Sequence, residues 1–184
     1  ALTGFQAPKI VWLRNHEPAN YARLAHVLLP KDYIRLLLSG VAAADAADAA
    51  GTLLVDLKRR DYSDEILAAL DIKRAWLPTI YEGPAVTGHL KADVAQALGL
   101  TAGLPIIAGG GDNAASAVGM GLIHPGQGFV SLGTSGVIFR VSEGFQPVPE
   151  KGVHAFCHAL ANRWHQMTVM LSAASAVRWA ASVL

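Results

Sequence analysis

Helical spacing of apolar residues dominates the first half of the chain. Pro8 ahead of Lys9-Ile10-Val11-Trp12-Leu13 predicts a helix start, because proline gives up nothing at the first helical position. Glu17-Pro18 then closes that helix and opens another, on which Tyr21, Leu24 and Ala25 share a face. Val27-Leu28-Leu29 is a short apolar run, and Pro30-Lys31-Asp32-Tyr33-Ile34 begins a helix that Gly40 should end. Gly51-Thr52-Leu53-Leu54-Val55 reads as a strand. Ser63 reads as the N-cap of a helix from Asp64 to Leu70, with Asp64 and Glu65 placed where the helix dipole favours acids. Beyond a link punctuated by Pro78 and Pro84, helix is expected over Lys91 to Leu98. A buried strand is expected at Pro105-Ile106-Ile107-Ala108, then a helix of small residues from Asp112 to Met120.

The pattern changes after His124-Pro125-Gly126. From Gly128 the chain reads GFVSLGTSGVIFRV, two β-rich arms around Gly133-Thr134-Ser135-Gly136, which predicts a hairpin. Trp164 to Leu171 suggests a further strand, and Ser172 to Val183 a helix capped by its own serine. The change in pattern places a domain boundary near Leu122 to Gln127, dividing the chain into 1–122 and 123–184. No repeat at solenoid spacing is present.

Composition narrows the class. With 184 residues, 52% hydrophobic and 16% charged, the chain is globular and long enough to bury a core. Its net charge is +1 and its 15 Lys and Arg are scattered, so a nucleic-acid partner gains no support. No uninterrupted apolar window of about 18 residues exists, which argues against a membrane span. The single Cys157 has no partner for a disulfide, so a reducing cytoplasm is expected. The chain opens Ala1-Leu2-Thr3 and ends inside an apparent helix, so both ends read as cuts through a larger protein.

The candidate chemistry centres on PIIAGGGDNAASAVGMG. Asp112-Asn113 sits on bare backbone that leaves room for a polyhydroxy substrate, with a carboxylate to accept a proton and an amide to donate and accept hydrogen bonds. The Gly133-Thr134-Ser135-Gly136 turn offers backbone N–H groups and two hydroxyls as a cradle for phosphate oxygens. Together they suggest phosphoryl transfer, which needs positioning and charge stabilisation more than covalent chemistry. Two rivals stand beside this. Gly109-x-Gly111-x-x-Ala114 fits a relaxed dinucleotide fingerprint and an oxidoreductase, although no acid follows about twenty residues on. Alternatively, Asp112 is only a helix N-cap in a non-catalytic binding module. No Walker-type phosphate loop is present. His154, Cys157 and His158 lack a fourth ligand for zinc and are expected as residues of a strand or turn, and Asp45 and Asp48 as a charged helix face or turn.

Five stretches, GFQAPKIVWLRNHEP, HVLLPKDYIRLLLSG, AGGGDNAASAVGMG, SLGTSGVIF and HAFCHALANRWHQMTVMLSAASAVRW, together resemble the FGGY carbohydrate kinases over nearly the whole chain. The Ala7-Pro8-Lys9-x-x-Trp12 and Gly109-Gly110-Gly111-Asp112-Asn113-Ala114-Ala115 elements, in that order, are the specific ones. The resemblance implies an α/β architecture of two actin-like (ribonuclease H-like) domains closing on a cleft. Here the end of the sugar-binding domain, 1–122, would join the start of the ATP-binding domain, 123–184, incomplete at both ends. It implies phosphorylation of D-xylulose, or of another sugar or polyol, by ATP with Mg2+. Asp112 matches the family's catalytic base, Asn113 a sugar-contacting position, and Gly133, Thr134, Ser135 and Gly136 the phosphate-binding hairpin. Family members are much longer and carry a first phosphate loop, a metal-holding acid and most of the adenine site elsewhere. The metal ligands are therefore unassigned, and this stretch alone is expected not to turn over ATP. A homodimer is one possible assembly.

Overall fold

The computed structural model describes residues 4–184, so Ala1-Leu2-Thr3 lie outside it. Helix α1 (Gln6–His16) begins two residues before Pro8, with Phe5 at its N-cap. Pro8 still falls in the first turn, where its missing N–H has no intrahelical acceptor to lose. Helix α2 (Pro18–Tyr21) follows with Pro18 in its first turn. The apolar run at Val27 forms no helix or strand: the Val27 N–H donates to the Trp76 carbonyl at 2.8 Å, and Leu29 is buried. Helix α3 (Pro30–Ser39) starts on its proline and stops at Gly40, whose φ of 77° only glycine adopts freely.

Strand β1 (Ala43–Asp45) is buried along its length and runs into α4 (Ala46–Ala49). The strand expected from Gly51 is a correction. Ala50–Thr52 is a turn of 3-10 helix, and Leu53 takes a left-handed conformation with φ 64°. The cause is local: the Thr52 hydroxyl donates to the Ala49 carbonyl at 2.6 Å and accepts the Leu54 N–H at 3.1 Å, bending the chain back on the helix end. Only β2 (Val55–Asp56) is extended there, paired antiparallel with β3 (Asp61–Tyr62). Ser63 caps α5 (Asp64–Leu70) as expected, accepting the Ile66 N–H at 3.3 Å.

Strand β4 (Thr79–Tyr81) pairs parallel with β1. Strand β5 (Val86–His89) pairs antiparallel with β6 (Pro105–Ile107), with α6 (Ala92–Leu98) between them. Strand β6 is not buried as expected: Pro105 and Ile107 are exposed in a sheet of two strands. Helix α7 (Asp112–Gly119) follows. Strands β7 (Gly128–Leu132), β8 (Gly136–Ser142), β9 (His154–Cys157) and β10 (Trp164–Met170) then form an antiparallel sheet in the order β7-β8-β10-β9. Helix α8 (Ala174–Val183) is not capped by Ser172, whose hydroxyl instead meets that of Ser175 at 2.7 Å. The hairpin turn takes the cap's place, the Thr134 and Gly133 carbonyls accepting the N–H groups of Ala173 and Ala174 at 2.8 and 3.0 Å.

The main apolar cluster, around Ile10, Leu54, Tyr62, Leu67, Ile72 and Leu77, lies among the first helices. Small residues join it to the antiparallel sheet. Ala46 and Ala50 pack on Phe156 and Cys157, Ala117 packs on Phe139 and Val141, and Ala47, Ala114 and Ala159 meet one another. Polar contacts reinforce this junction. The Trp164 indole donates to the Leu57 carbonyl at 2.7 Å. Buried Arg60 forks onto both Glu82 oxygens at 2.7 Å and donates to the carbonyls of Arg163 at 2.6 Å and His158 at 3.1 Å. Among the described residues no helix is long and apolar enough to cross a membrane.

Candidate active site

The loop carrying Asp112 is fixed from below and from one side. Arg35 on α3 is buried and ion-paired with Asp32 at 2.9 Å, and its guanidinium donates to the carbonyls of Ala43 on β1 and of Ala108 after β6. Gly109 follows, its N–H donating to the Gly83 carbonyl at 2.9 Å. A side chain on Gly110 would place its Cβ 2.8 Å from the Ala159 Cβ, and one on Gly83 would sit 2.5 Å from the Gly109 carbonyl oxygen. The glycines therefore let three backbone segments cross at close range.

Gly111, not Asp112, is the N-cap of α7, and no side-chain cap bond forms there. Asp112 is the first helical residue. Its Oδ1 accepts the backbone N–H of Asn113 at 2.7 Å and the Asn113 amide at 3.0 Å, while Oδ2 engages neither. The N-cap reading of Asp112 is thus set aside. Asp112 is exposed and Asn113 half-buried, and the pair stands between two concavities. The first, of about 200 Å³, has Phe5, Phe156 and Met167 as an apolar floor and Asp48, Asp112 and Asn113 as polar rim. The second, of about 460 Å³, is lined by Ser116, Met120, Phe129, Val130 and Ser131 besides the pair.

Gly133, Thr134, Ser135 and Gly136 form the tip of the β7–β8 hairpin, as expected, with the first three exposed. They line neither concavity; Ser131, on the adjoining arm, is the hairpin residue with a hydroxyl that lines the second one together with Asp112. Ser131 lay within the quoted hairpin but outside its glycine turn, so the turn signal passed over it.

Asp45 and Asp48, expected as a charged helix face or turn, fall at the N-cap and in the first turn of α4, where an ion cluster adds a role the sequence did not show. Asp45 is fully buried, caps α4 by accepting the Asp48 N–H at 2.9 Å, and is ion-paired with Lys31. Lys31 also reaches Asp32 at 2.8 Å and Asp48 at 3.4 Å. Burial works to lower the Lys31 pKa, but the surrounding carboxylates outweigh it and hold the ammonium above its ordinary value. Burial pushes the Asp48 carboxyl up, helped by the nearby Asp45 and Asp32 charges and opposed by Lys31.

Of the histidines flanking Cys157, His154 lies on β9 and is half-buried, whereas His158 is fully buried and its Nδ1 accepts the Leu160 N–H at 3.1 Å. His165 on β10 stacks on Phe139 at 4.2 Å and Phe156 at 5.5 Å between ring centres. Burial pushes its pKa down to about 3, and that of the Cys157 thiol up to about 11, so the ring is neutral and the thiol inert at pH 7. Among the described residues no three His, Cys, Asp or Glu side chains converge to hold a metal ion. The dinucleotide fingerprint fails on topology: it needs a parallel strand-helix-strand unit, whereas β6 pairs antiparallel with β5.

Comparison with known proteins points the same way as the motifs. Residues 1–119 match the model of the N-terminal domain of the FGGY family of carbohydrate kinases. The chain is 53% identical over 182 residues to the xylulose kinase of Escherichia coli K12, and 40% identical over 179 residues to that of Lactococcus lactis, covering 99% and 97% of this chain. Its fold superposes on the crystal structure of a xyloylose kinase from Brucella ovis with a TM-score of 0.94 at 49% identity, covering 98% of this chain and 37% of that one. A xylulose kinase from Rhodospirillum rubrum matches with a TM-score of 0.91 at 28% identity. The chain spans 37% of the E. coli relative and 36% of the L. lactis one. With its glycine loop, hairpin and helices in the order and geometry of these proteins, the chain belongs to the FGGY family of carbohydrate kinases.

Proposed function

We propose that this chain is the middle of an ATP-dependent kinase that phosphorylates the terminal hydroxyl of D-xylulose, with Asp112 as the base. The observation that carries the reading is the position of Asp112-Asn113 on the wall between two concavities. The smaller combines an aromatic floor with a carboxylate rim, the composition that suits a sugar's C–H face and hydroxyl edge. The larger is lined by Phe129, Val130 and Ser131 of β7, the arm of the hairpin that leads to the Gly133-Thr134-Ser135-Gly136 turn, which supports a place for the nucleotide's phosphates there. Asp112 accepts the proton of the attacking hydroxyl, whose oxygen forms a bond to the γ-phosphorus as the bond to the ADP oxygen breaks. Asn113 holds one Asp112 oxygen, and the other makes no bond to it and is left to accept the proton. Magnesium neutralises phosphate charge when bound. Among the described residues no three side chains form a ligand set, and none is assigned to hold it. The names of the relatives support D-xylulose as the sugar. The extent of the family match, 1–119, supports a division into 1–122 and 123–184. A cytoplasmic setting suits the buried, unpaired Cys157.

The test is a coupled ADP-release assay on the full-length protein with D-xylulose against other ketoses and polyols, with and without Mg2+. Mg2+-dependent turnover on D-xylulose is expected, and Asp112→Asn should lower kcat by about 10²–10⁴-fold. An Asp112→Asn enzyme with unchanged kcat would overturn the reading.

A further inference from the structure

We infer that Asp48 is a second substrate-contacting residue, whose carboxylate binds a hydroxyl of the sugar other than the one phosphorylated. This rests on the reading that the concavity beside Asp112 takes the sugar.

Four observations lead there. Asp48 lines that concavity together with Asp112 and Asn113. It is held on a short helix whose N-cap, Asp45, is completely buried, its backbone N–H is bound to that cap, and Lys31 approaches its Oδ2 at 3.4 Å. Its Oδ1 lies 3.4 Å from the point where a Cβ on Gly111 would project, directly beside the residue preceding Asp112. A side chain there would rest against the Asp48 backbone and Oδ1.

The charges of the cluster leave Asp48 with capacity to spare. Lys31 and Arg35 face three carboxylates, Asp32, Asp45 and Asp48. The two fully buried ones take the close contacts, and Asp48 is left with the longest, 3.4 Å from Lys31 to Oδ2, while its side chain is 33% exposed. A carboxylate has about four acceptor positions. Partial burial strips its water, as its raised pKa reflects, so hydroxyl donors from a ligand restore what desolvation removed. An incompletely paired carboxylate beside an apolar lining of Phe5, Phe156 and Met167 fits a ligand with an apolar face and several hydroxyls.

The experiment uses the full-length enzyme, D-xylulose and a set of deoxy-xyluloses, each lacking one hydroxyl. For Asp48→Asn, kcat/KM for D-xylulose should fall about tenfold to a hundredfold, the value of a charge-assisted hydrogen bond, while KM for ATP stays unchanged. With the one analogue that lacks the hydroxyl Asp48 binds, wild type and variant should become equal. Asp48→Ser provides the same comparison should Asn disturb the ion cluster. A loss equal on every analogue, or no loss on any sugar, overturns the inference. Asp112→Asn is run in parallel: if it is inactive while Asp48→Asn is normal, only the Asp48 role fails, and if it is fully active, the reading of the site itself fails.

Discussion

Adding one methyl group to Gly110 should slow the reaction without touching any group that meets substrate. The new Cβ would lie 2.8 Å from the Ala159 Cβ, whereas carbon atoms rest at about 3.5–4.0 Å. Roughly 1 Å of movement is therefore required. Ala159 is poorly placed to supply it, because Arg60 donates to the carbonyls on either side of it, at 3.1 Å to His158 and 3.4 Å to Leu160. The glycine loop moves instead, and Asp112 follows two residues on. A displacement of about 1 Å costs on the order of 10²-fold in rate, and overpacking of this kind costs about 1–3 kcal/mol of stability. Steady-state kinetics of full-length Gly110→Ala should show the loss in kcat, with a lowered Tm by circular dichroism. The double variant Gly110→Ala with Ala159→Gly removes the clash and should recover most of both. A Gly110→Ala enzyme with wild-type kcat, or a double variant as slow as the single, refutes the argument.

Other consequences are open to measurement. Arg60→Lys keeps the charge but loses the planar fork that spans Glu82 and the carbonyls of the β9–β10 turn. It should destabilise the protein by about 1–2 kcal/mol, and a chemical denaturation midpoint equal to wild type would contradict that. Stability should also fall in mild acid. Burial lowers the pKa of His158, and that of His165 to about 3, so the unfolded chain takes up protons that the folded one refuses. The stabilisation is complete above about pH 6.5 and declines below it, each histidine adding up to about 1.4 kcal/mol per pH unit. His165→Phe should flatten the profile between pH 6.5 and 4, and a wild-type Tm unchanged over that range would count against the argument.

Local chemistry made much of this fold legible. Pro30 and Gly40 bound α3, Ser63 caps α5, and the glycine turn sets the β7–β8 hairpin, each through its own immediate backbone. Where tertiary contacts decide, sequence pattern misled. Leu53 turns left-handed because Thr52 ties back to Ala49, and α8 is capped by carbonyls of a distant hairpin instead of by Ser172. Strand β1 has only Ala43, Ala44 and Asp45, no β-branched residue, and is extended because β4 pairs beside it in a crowded interior. The Asp112-Asn113 pair was visible because glycine and carboxylate adjoin in sequence. Asp48 was not, since its meaning comes from Lys31 on another helix and from the concavity beneath Gly111.

The Arg60 latch also bears on how the chain reaches this state. All the pairings of the antiparallel sheet lie within residues 128–170, joining neighbours that find each other at small entropic expense. Arg60, by contrast, reaches partners 98, 100 and 103 residues away, with its own backbone held at an unfavourable φ of 59°. Such contacts close after the local ones, so weakening them quickens unfolding and leaves the folding rate nearly untouched. The turn that wedges against Gly110 is set in place by the same late event. A molecule whose glycine loop has its final shape is therefore one in which distant parts of this chain have already met.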